Sequence, residues 1–203
     1  MSKGQTLQEI HQRWFHDCTC ELRHTATQPV PGVGNADSPI VFIGEAPGKD
    51  EDLKGEPFVG RAGKFLNEML ESIGMKRSDI YITNTVKYRP PGNRDPLPAE
   101  KEACFGWLAE ELNLIQPKLI IPLGRHALNT FIPEAFISDV HGKVLKKKVQ
   151  LHLPDGTLAP LSTDTFFPLY HPAAAMYNGS LREILVDDFK KIPMVVEKMG
   201  AEL

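Results

Sequence analysis

The chain has 203 residues, 41% hydrophobic and 24% charged, the proportions of an ordinary globular sequence whose length predicts one domain, residues 1–203. Its 23 Lys and Arg against 26 Asp and Glu give a net charge of -3, which excludes a polybasic coat and confines any nucleic-acid contact to a local patch. Three cysteines, a Cys18-x-Cys20 pair and a distant Cys104, exclude a secreted disulfide framework, and no apolar run has the length of a signal peptide or membrane span. A soluble cytoplasmic protein with no membrane partner is expected.

Residues 6–15 carry Leu7, Ile10 and Trp14 at helical spacing, and residues 29–39 are rich in Pro and Gly, so a leading helix and a long loop are expected. The run Ile40-Val-Phe-Ile43 predicts a buried strand that stops at Gly44. Ala62, Phe65, Leu66, Met69, Leu70 and Ile73 recur at three and four, the pattern of an amphipathic helix over 61–74 closed by Gly74. A short strand over 80–83 follows, then a loop at 90–98, whose prolines remove backbone donors. Pro98 suits the first turn of a helix running to about Ile115, with a strand at 118–123 and a short helix at 124–131 behind it. A hairpin is expected from 144–153 and 157–161 around Pro154-Asp-Gly156, a fourth core strand at 166–170, and a closing helix at 181–199. The alternation specifies a doubly wound α/β domain: a four-stranded parallel sheet flanked by helices, with a small hairpin insertion and ligand sites beyond the strand C-termini.

The residues that follow the predicted strands are Glu45-Ala-Pro-Gly48, Asn84, Gly124-Arg-His126 and His171-Pro-Ala-Ala174. Each type is ordinary in a turn. Their convergence on one sheet edge, with Phe58 nearby in Pro57-Phe-Val-Gly60, brings a carboxylate, an amide, an imidazole and an aromatic ring to one place, as an active site requires.

Gly44-Glu-Ala-Pro-Gly48, Glu51-Asp52, Gly55-x-Pro57-Phe-Val-Gly-x-Ala-Gly63, Thr83-Asn-x-Val-Lys87, Arg89-Pro-Pro-x-Asn93-Arg-x-Pro96 and His171-Pro-Ala occur in this order. Over about residues 14–193 the chain thereby resembles uracil-DNA glycosylases of the thermophile-type branch known as family four. The resemblance implies a DNA-repair hydrolase that flips uracil out of single- or double-stranded DNA and cleaves its N-glycosidic bond, leaving an abasic site. A monomer is expected.

Under this resemblance Asn84 reads uracil, because one fixed amide matches its O4 acceptor and N3–H donor and mismatches cytosine. Phe58 stacks on the extruded ring. His171 donates to uracil O2 as negative charge develops on the departing base. In the best-known branch of the superfamily an Asp activates the water; the matching residue here is Ala46, in the uracil pocket, so Glu45 and Asn93 stand as candidates for that role. Glu51 either crowds C5 against thymine or belongs to a solvated acidic run, Asp50-Glu-Asp52. A local DNA-binding patch is expected from Lys87, Arg89, Arg94 and Arg182. Lys146-Lys-Lys148 either joins it or is only a solvated face, and Met176 or Tyr177 would wedge into the gap left by the flipped base.

The resemblance also implies a four-iron, four-sulfur cluster on four cysteines. Cys20 and Cys104 match ligand positions, but the first falls on Asp17 with Cys18 displaced by one, and the third falls on Tyr88. Thiolates are what such a cluster requires, so its loss is expected, and no cofactor with it. Cys18, Cys20 and Cys104, with Asp17 or a nearby His, are the remaining metal candidates. A different functional class stays open, a module that binds uracil-DNA without turnover.

Overall fold

The apolar runs that lack polar alternation become the centre of the sheet, because a strand covered by helices on both faces has no solvent side. In the computed structural model, which describes residues 2–200, β2 (Ile40–Gly44), β3 (Tyr81–Asn84) and β4 (Leu119–Pro122) are buried along their whole length. Together with β8 (Thr165–Phe166) they form the expected parallel set, in the order β3-β2-β4-β8. Two short antiparallel edge strands extend it to six: β1 (Val33–Gly34) beside β3 and β5 (Leu145–Lys146) beside β8. Two-residue edges carry too little pattern to be read from the sequence.

Alternate residues of the sheet feed two cores. Phe42, Ile82 and Ile121 pack beneath α3 (Arg61–Ser72), α8 (Gly179–Phe189) and α9 (Ile192–Lys198). Val41, Ile43 and Ile120 pack beneath α1 (Lys3–Asp17), α4 (Pro98–Ile115) and α5 (Arg125–Phe131). Helix α1 starts at a capping box in which Ser2 and Gln5 satisfy each other's backbone N–H. Helix α4 starts at Pro98, as its missing donor allows.

Three expectations need correction. The first arm of the predicted hairpin divides: residues 145–146 join the main sheet, and only β6 (Gln150–His152) and β7 (Leu158–Pro160) make the separate two-stranded hairpin. The predicted strand 166–170 is regular only at its start, since Pro168 has no N–H to give. Its pairing with β4 continues through Phe167 N–H to the Ile120 carbonyl (2.9 Å) and Leu169 N–H to that of Pro122 (2.9 Å). The closing helix breaks into α8 and α9 because Pro193, at the start of α9, cannot continue α8. Two short helices were not anticipated, α2 (Lys49–Lys54) and α6 (Ile137–Val140), whereas the segment after His171 forms the short helix α7 (Pro172–Ala175). No helix among the described residues is long and apolar enough to cross a membrane.

Strand order reverses beside β2: the chain goes to β3 on one side and then crosses to β4 on the other. The crevice outside these strand ends is where an open α/β sheet holds its ligand.

Candidate active site

A cavity of about 310 Å³ opens at that reversal point, lined by Glu45, Ala46, Glu51, Phe58, Asn84, Asn93 and His171 among others. The sequence had marked all seven.

Asn84, the last residue of β3, is 2% exposed, and its side-chain amide makes no hydrogen bond to another described residue. A buried amide with both ends free toward a cavity awaits a ligand that supplies one donor and one acceptor. Opposite it, Phe58 is buried in a positive-φ conformation (53°), its ring centroid 5.7 Å from that of His171. Gly44 makes this closeness possible, since a Cβ there would lie 2.3 Å from Asn84 Oδ1 and 2.6 Å from Phe58 Cζ. Gly63 serves the same loop, because a Cβ would strike the Phe58 carbonyl at 1.8 Å.

Glu51 holds that loop from below. Its Oε1 accepts from the backbone N–H groups of Val59 (2.9 Å) and Gly60 (2.8 Å), at the N-terminus of α3. Asp52 is buried and accepts from Thr27 N (2.8 Å) and Thr27 Oγ1 (2.7 Å). The acidic run is therefore structural at two of its three positions, not a solvated face.

His171 caps α7: its Nδ1 accepts from Ala173 N–H at 3.1 Å. The ring proton is then on Nε2, the nitrogen left free at the cavity. Burial lowers the imidazole to about 4, against a smaller opposing pull from Glu51, so it is a neutral donor at neutral pH.

The backbone of Glu45 is anchored by Thr85 Oγ1 (2.7 Å) and Val86 N–H (3.0 Å) donating to its carbonyl. Burial, reinforced by the negative charge of Asp95, raises its carboxyl to about 7 despite Lys101 and Arg125. Asn93 lies at the rim with positive φ (56°), its Oδ1 accepting from Arg89 Nε at 2.7 Å.

A family model, Uracil DNA glycosylase superfamily, matches residues 31–192. The chain belongs to the uracil-DNA glycosylase superfamily. It is 50% identical over 199 residues to a type-4 uracil-DNA glycosylase of Archaeoglobus fulgidus, covering 93% of this chain and 92% of that one. Type-4 enzymes of Sulfurisphaera tokodaii (42% identical, 92% of this chain and 83% of the relative) and Thermotoga maritima (38%, 98% and 100%) are also similar.

The structure redistributes the basic residues expected to form a DNA-binding patch. Lys87 is 0% exposed and bonded to Glu111 (2.7 Å), so it is framework. Arg94 forks onto Glu100 (2.6 and 2.8 Å) and ties the Pro-rich loop to α4. Lys146 pairs with Asp164 (2.8 Å) and Lys147 with Glu134 (2.6 Å), leaving little unpaired charge in that run. Arg182 lies over the Phe65 ring at 4.0 Å and near Glu68 (3.5 Å). Arg89 stays at the rim beside Asn93. Past α7, Met176 is half-buried, whereas Tyr177 is 80% exposed, its hydroxyl accepting from Arg61 at 3.2 Å.

Cys18, Cys20 and Cys104 do meet. They are buried in one cluster with Tyr88, Leu22, Val86 and Trp107. The Cys104 thiol, donating to Cys18 and Cys20, is pushed up, and burial, helped by Cys18, pushes the Tyr88 phenol to about 12. A phenol so hard to ionise is a poor iron ligand, and Asp17 and His16 are exposed at the end of α1 instead of facing the sulfurs. The residues do not fit a four-thiolate cluster. The indole N–H of Trp107 in this same cluster is buried without a partner among the described residues, which makes this the least satisfied corner of the described core.

Sequence reasoning overlooked Asp95, which lines the cavity beside Glu45, and gave no role to His126, 3.7 Å from Glu45. The only available signal was their placement, one in the Pro-rich loop and one just after a strand.

Proposed function

We propose that this chain is a DNA-repair uracil-DNA glycosylase that flips uracil from single- or double-stranded DNA and hydrolyses its N-glycosidic bond, acting as a cytoplasmic monomer of one domain. The observation that carries this reading is the free, buried amide of Asn84 facing Phe58 and His171 across one cavity. Flipped uracil stacks on Phe58, gives N3–H to Asn84 Oδ1 and accepts at O4 from Asn84 Nδ2. Cytosine presents the reverse pair and leaves both buried groups unpaired. As the glycosidic bond stretches, electron density moves onto uracil O2. The neutral His171 Nε2–H stabilises it there as a hydrogen-bond donor, without giving up its proton. Glu45 and Asn93 position the water that attacks C1′ from the opposite face. Ala46 supplies no carboxylate, but its small side chain leaves room for that water. Arg89 and Arg182 contact the DNA backbone, and Tyr177, the more exposed tip residue, wedges into the vacated stack, with Met176 packed behind it.

The chemistry asks for no metal. We further propose that the three-cysteine corner carries no iron-sulfur cluster and that Tyr88 fills its place as a packed aromatic. Anaerobically purified protein is then colourless and holds far less than four irons per chain while still releasing uracil. Brown protein with four irons per chain would sink the proposal about the corner.

Alkali-sensitive strand cleavage of a uracil-containing oligonucleotide tests the main reading. An enzyme leaves abasic sites that alkali breaks, and Asn84→Asp loses both rate and discrimination, because a carboxylate then faces O4. Tight binding to uracil-DNA with no alkali-labile product would make the protein a reader instead.

A further inference from the structure

The Pro-rich loop and the start of α5 meet beside Glu45 in a group of charges that the reaction above leaves without a role. His126 Nδ1 lies 3.0 Å from Lys101 Nζ. An ammonium only donates, so Nδ1 carries the lone pair and the ring proton sits on Nε2. Nε2 lies 3.1 Å from Asp95 Oδ2 and 3.7 Å from Glu45 Oε1. Arg125 reinforces the dock by donating from Nη2 to Asp95 Oδ2 at 2.8 Å. Its Nε–H is also directed at His126 Nε2 at 3.0 Å, so Arg125 and Asp95 compete for that nitrogen, and the Lys101 contact at Nδ1 decides for Asp95. The ligand atoms of Glu45, Asp95 and His126 lie within 4.8 Å of one another, but Lys101 and Arg125 already supply the positive charge there, so the group is an ion-pair network and not a cation site.

We propose that His126 and Asp95 are positioning residues for Glu45, the imidazole docking the Asp95 carboxylate, and with it the Pro-rich loop, beside the Glu45 carboxylate. The role rests on the glycosylase reading, but its physical content does not depend on turnover. Asp95 lies two residues beyond Asn93, so the same dock fixes both candidates for orienting the water. It also sets a negative charge against a half-buried carboxyl, which makes Glu45 harder to ionise. The other charges facing Glu45, Lys101 and Arg125, act in the opposite direction. Glu45 is thereby kept a proton acceptor in the neutral range, where a fully solvated carboxylate would be a much weaker base.

The test reads Glu45 directly, by the carboxyl carbon shift of labelled glutamate during a pH titration, with Glu45→Gln assigning the resonance. Asp95→Asn keeps the shape and removes the charge. The Glu45 midpoint should fall by about half a unit, a modest shift because Asp95 is largely solvated. His126→Ala, which undocks Asp95, should lower it similarly, and His126→Gln, whose amide can still donate to Asp95, should restore it. The Asp95→Asn, His126→Ala double variant should shift no further than either single one. An unchanged midpoint in Asp95→Asn, or additive shifts in the double variant, would overturn the proposal. Because the titration needs no catalysis, a wild-type protein that released no uracil would refute the function reading while this inference was still decided.

Discussion

Glu111 and Glu45 are both carboxyl groups withdrawn from water, and they end in opposite states. Glu111, fully buried on α4, accepts from Lys87 Nζ (2.7 Å), Thr83 Oγ1 (2.9 Å) and Gly32 N–H (3.2 Å), and lies 3.0 Å from His11 Nε2. Burial alone would push it up, but the Lys87 charge and the bonds from His11 and Lys87 outweigh burial and hold it at about 2. Glu45 is less buried yet is raised to about 7, because burial pushes it up, the Asp95 charge adds to that, and among the described residues its own oxygens have no such donors to offset it. Depth of burial does not decide the charge state; partners do. The first arrangement is framework and the second leaves its carboxyl lining the cavity. The two are joined, since Lys87 Nζ also donates to the carbonyl of Asn84 at 3.0 Å and so fixes the strand end that carries the Asn84 amide.

The largest effect should come from breaking the framework. Lys87→Met leaves Glu111 charged and buried beside an apolar chain, and should cost about 3–5 kcal/mol in urea unfolding. Replacing Glu111 by Leu in the same chain should recover most of that loss. A small loss in the single variant would mean that Glu111 finds other partners and that the contrast with Glu45 is overdrawn.

On the pocket side, His171→Ala should lower kcat by about 10²–10³-fold with KM nearly unchanged, as expected for a donor whose bond strengthens only in the transition state. Single-turnover uracil release separates the two parameters. A loss confined to KM would make His171 a DNA-positioning group.

The smallest effect is the most direct measure of the contrast. The folded Glu45 carboxyl, raised from 4.5 to about 7, holds a proton that the unfolded chain has released, so its contribution to stability is present below about 4.5 and is lost as pH rises through 7. Glu45→Gln escapes that loss. Relative to wild type it should gain about 1–2 kcal/mol between pH 5 and pH 8 in thermal unfolding, less than the full linkage value because the group is partly solvated. Glu111 runs the other way: its contribution is present above 4.5 and lost as pH falls toward 2. A variant at Glu45 with no pH-dependent gain would place its ionisation in the ordinary range.

How much of this was legible beforehand depended on the range of the interaction. The strand at 40–43, the helix at 61–74 and the helix from Pro98 follow from local period and caps, and they formed within two residues of the expected ends. The ends of β2 and β3 then placed Glu45 and Asn84 correctly, because a parallel sheet with alternating crossovers brings its strand C-termini to one edge. Edge strands of two residues and the break before Pro193 fell below what a periodic pattern resolves.

The sequence by itself determined the order of elements, the sheet edge that holds the site and the residue types available to bind and cleave. Only the tertiary structure decided the state of each group: that Lys87 turns inward to Glu111, that Asp52 anchors Thr27, that Arg94 is claimed by Glu100, and that Asp95 and His126 stand against Glu45. The physical reason is that hydrophobic period and capping act over a few residues, whereas charge and hydrogen bonding act through space between partners as far apart in the chain as His11 and Glu111.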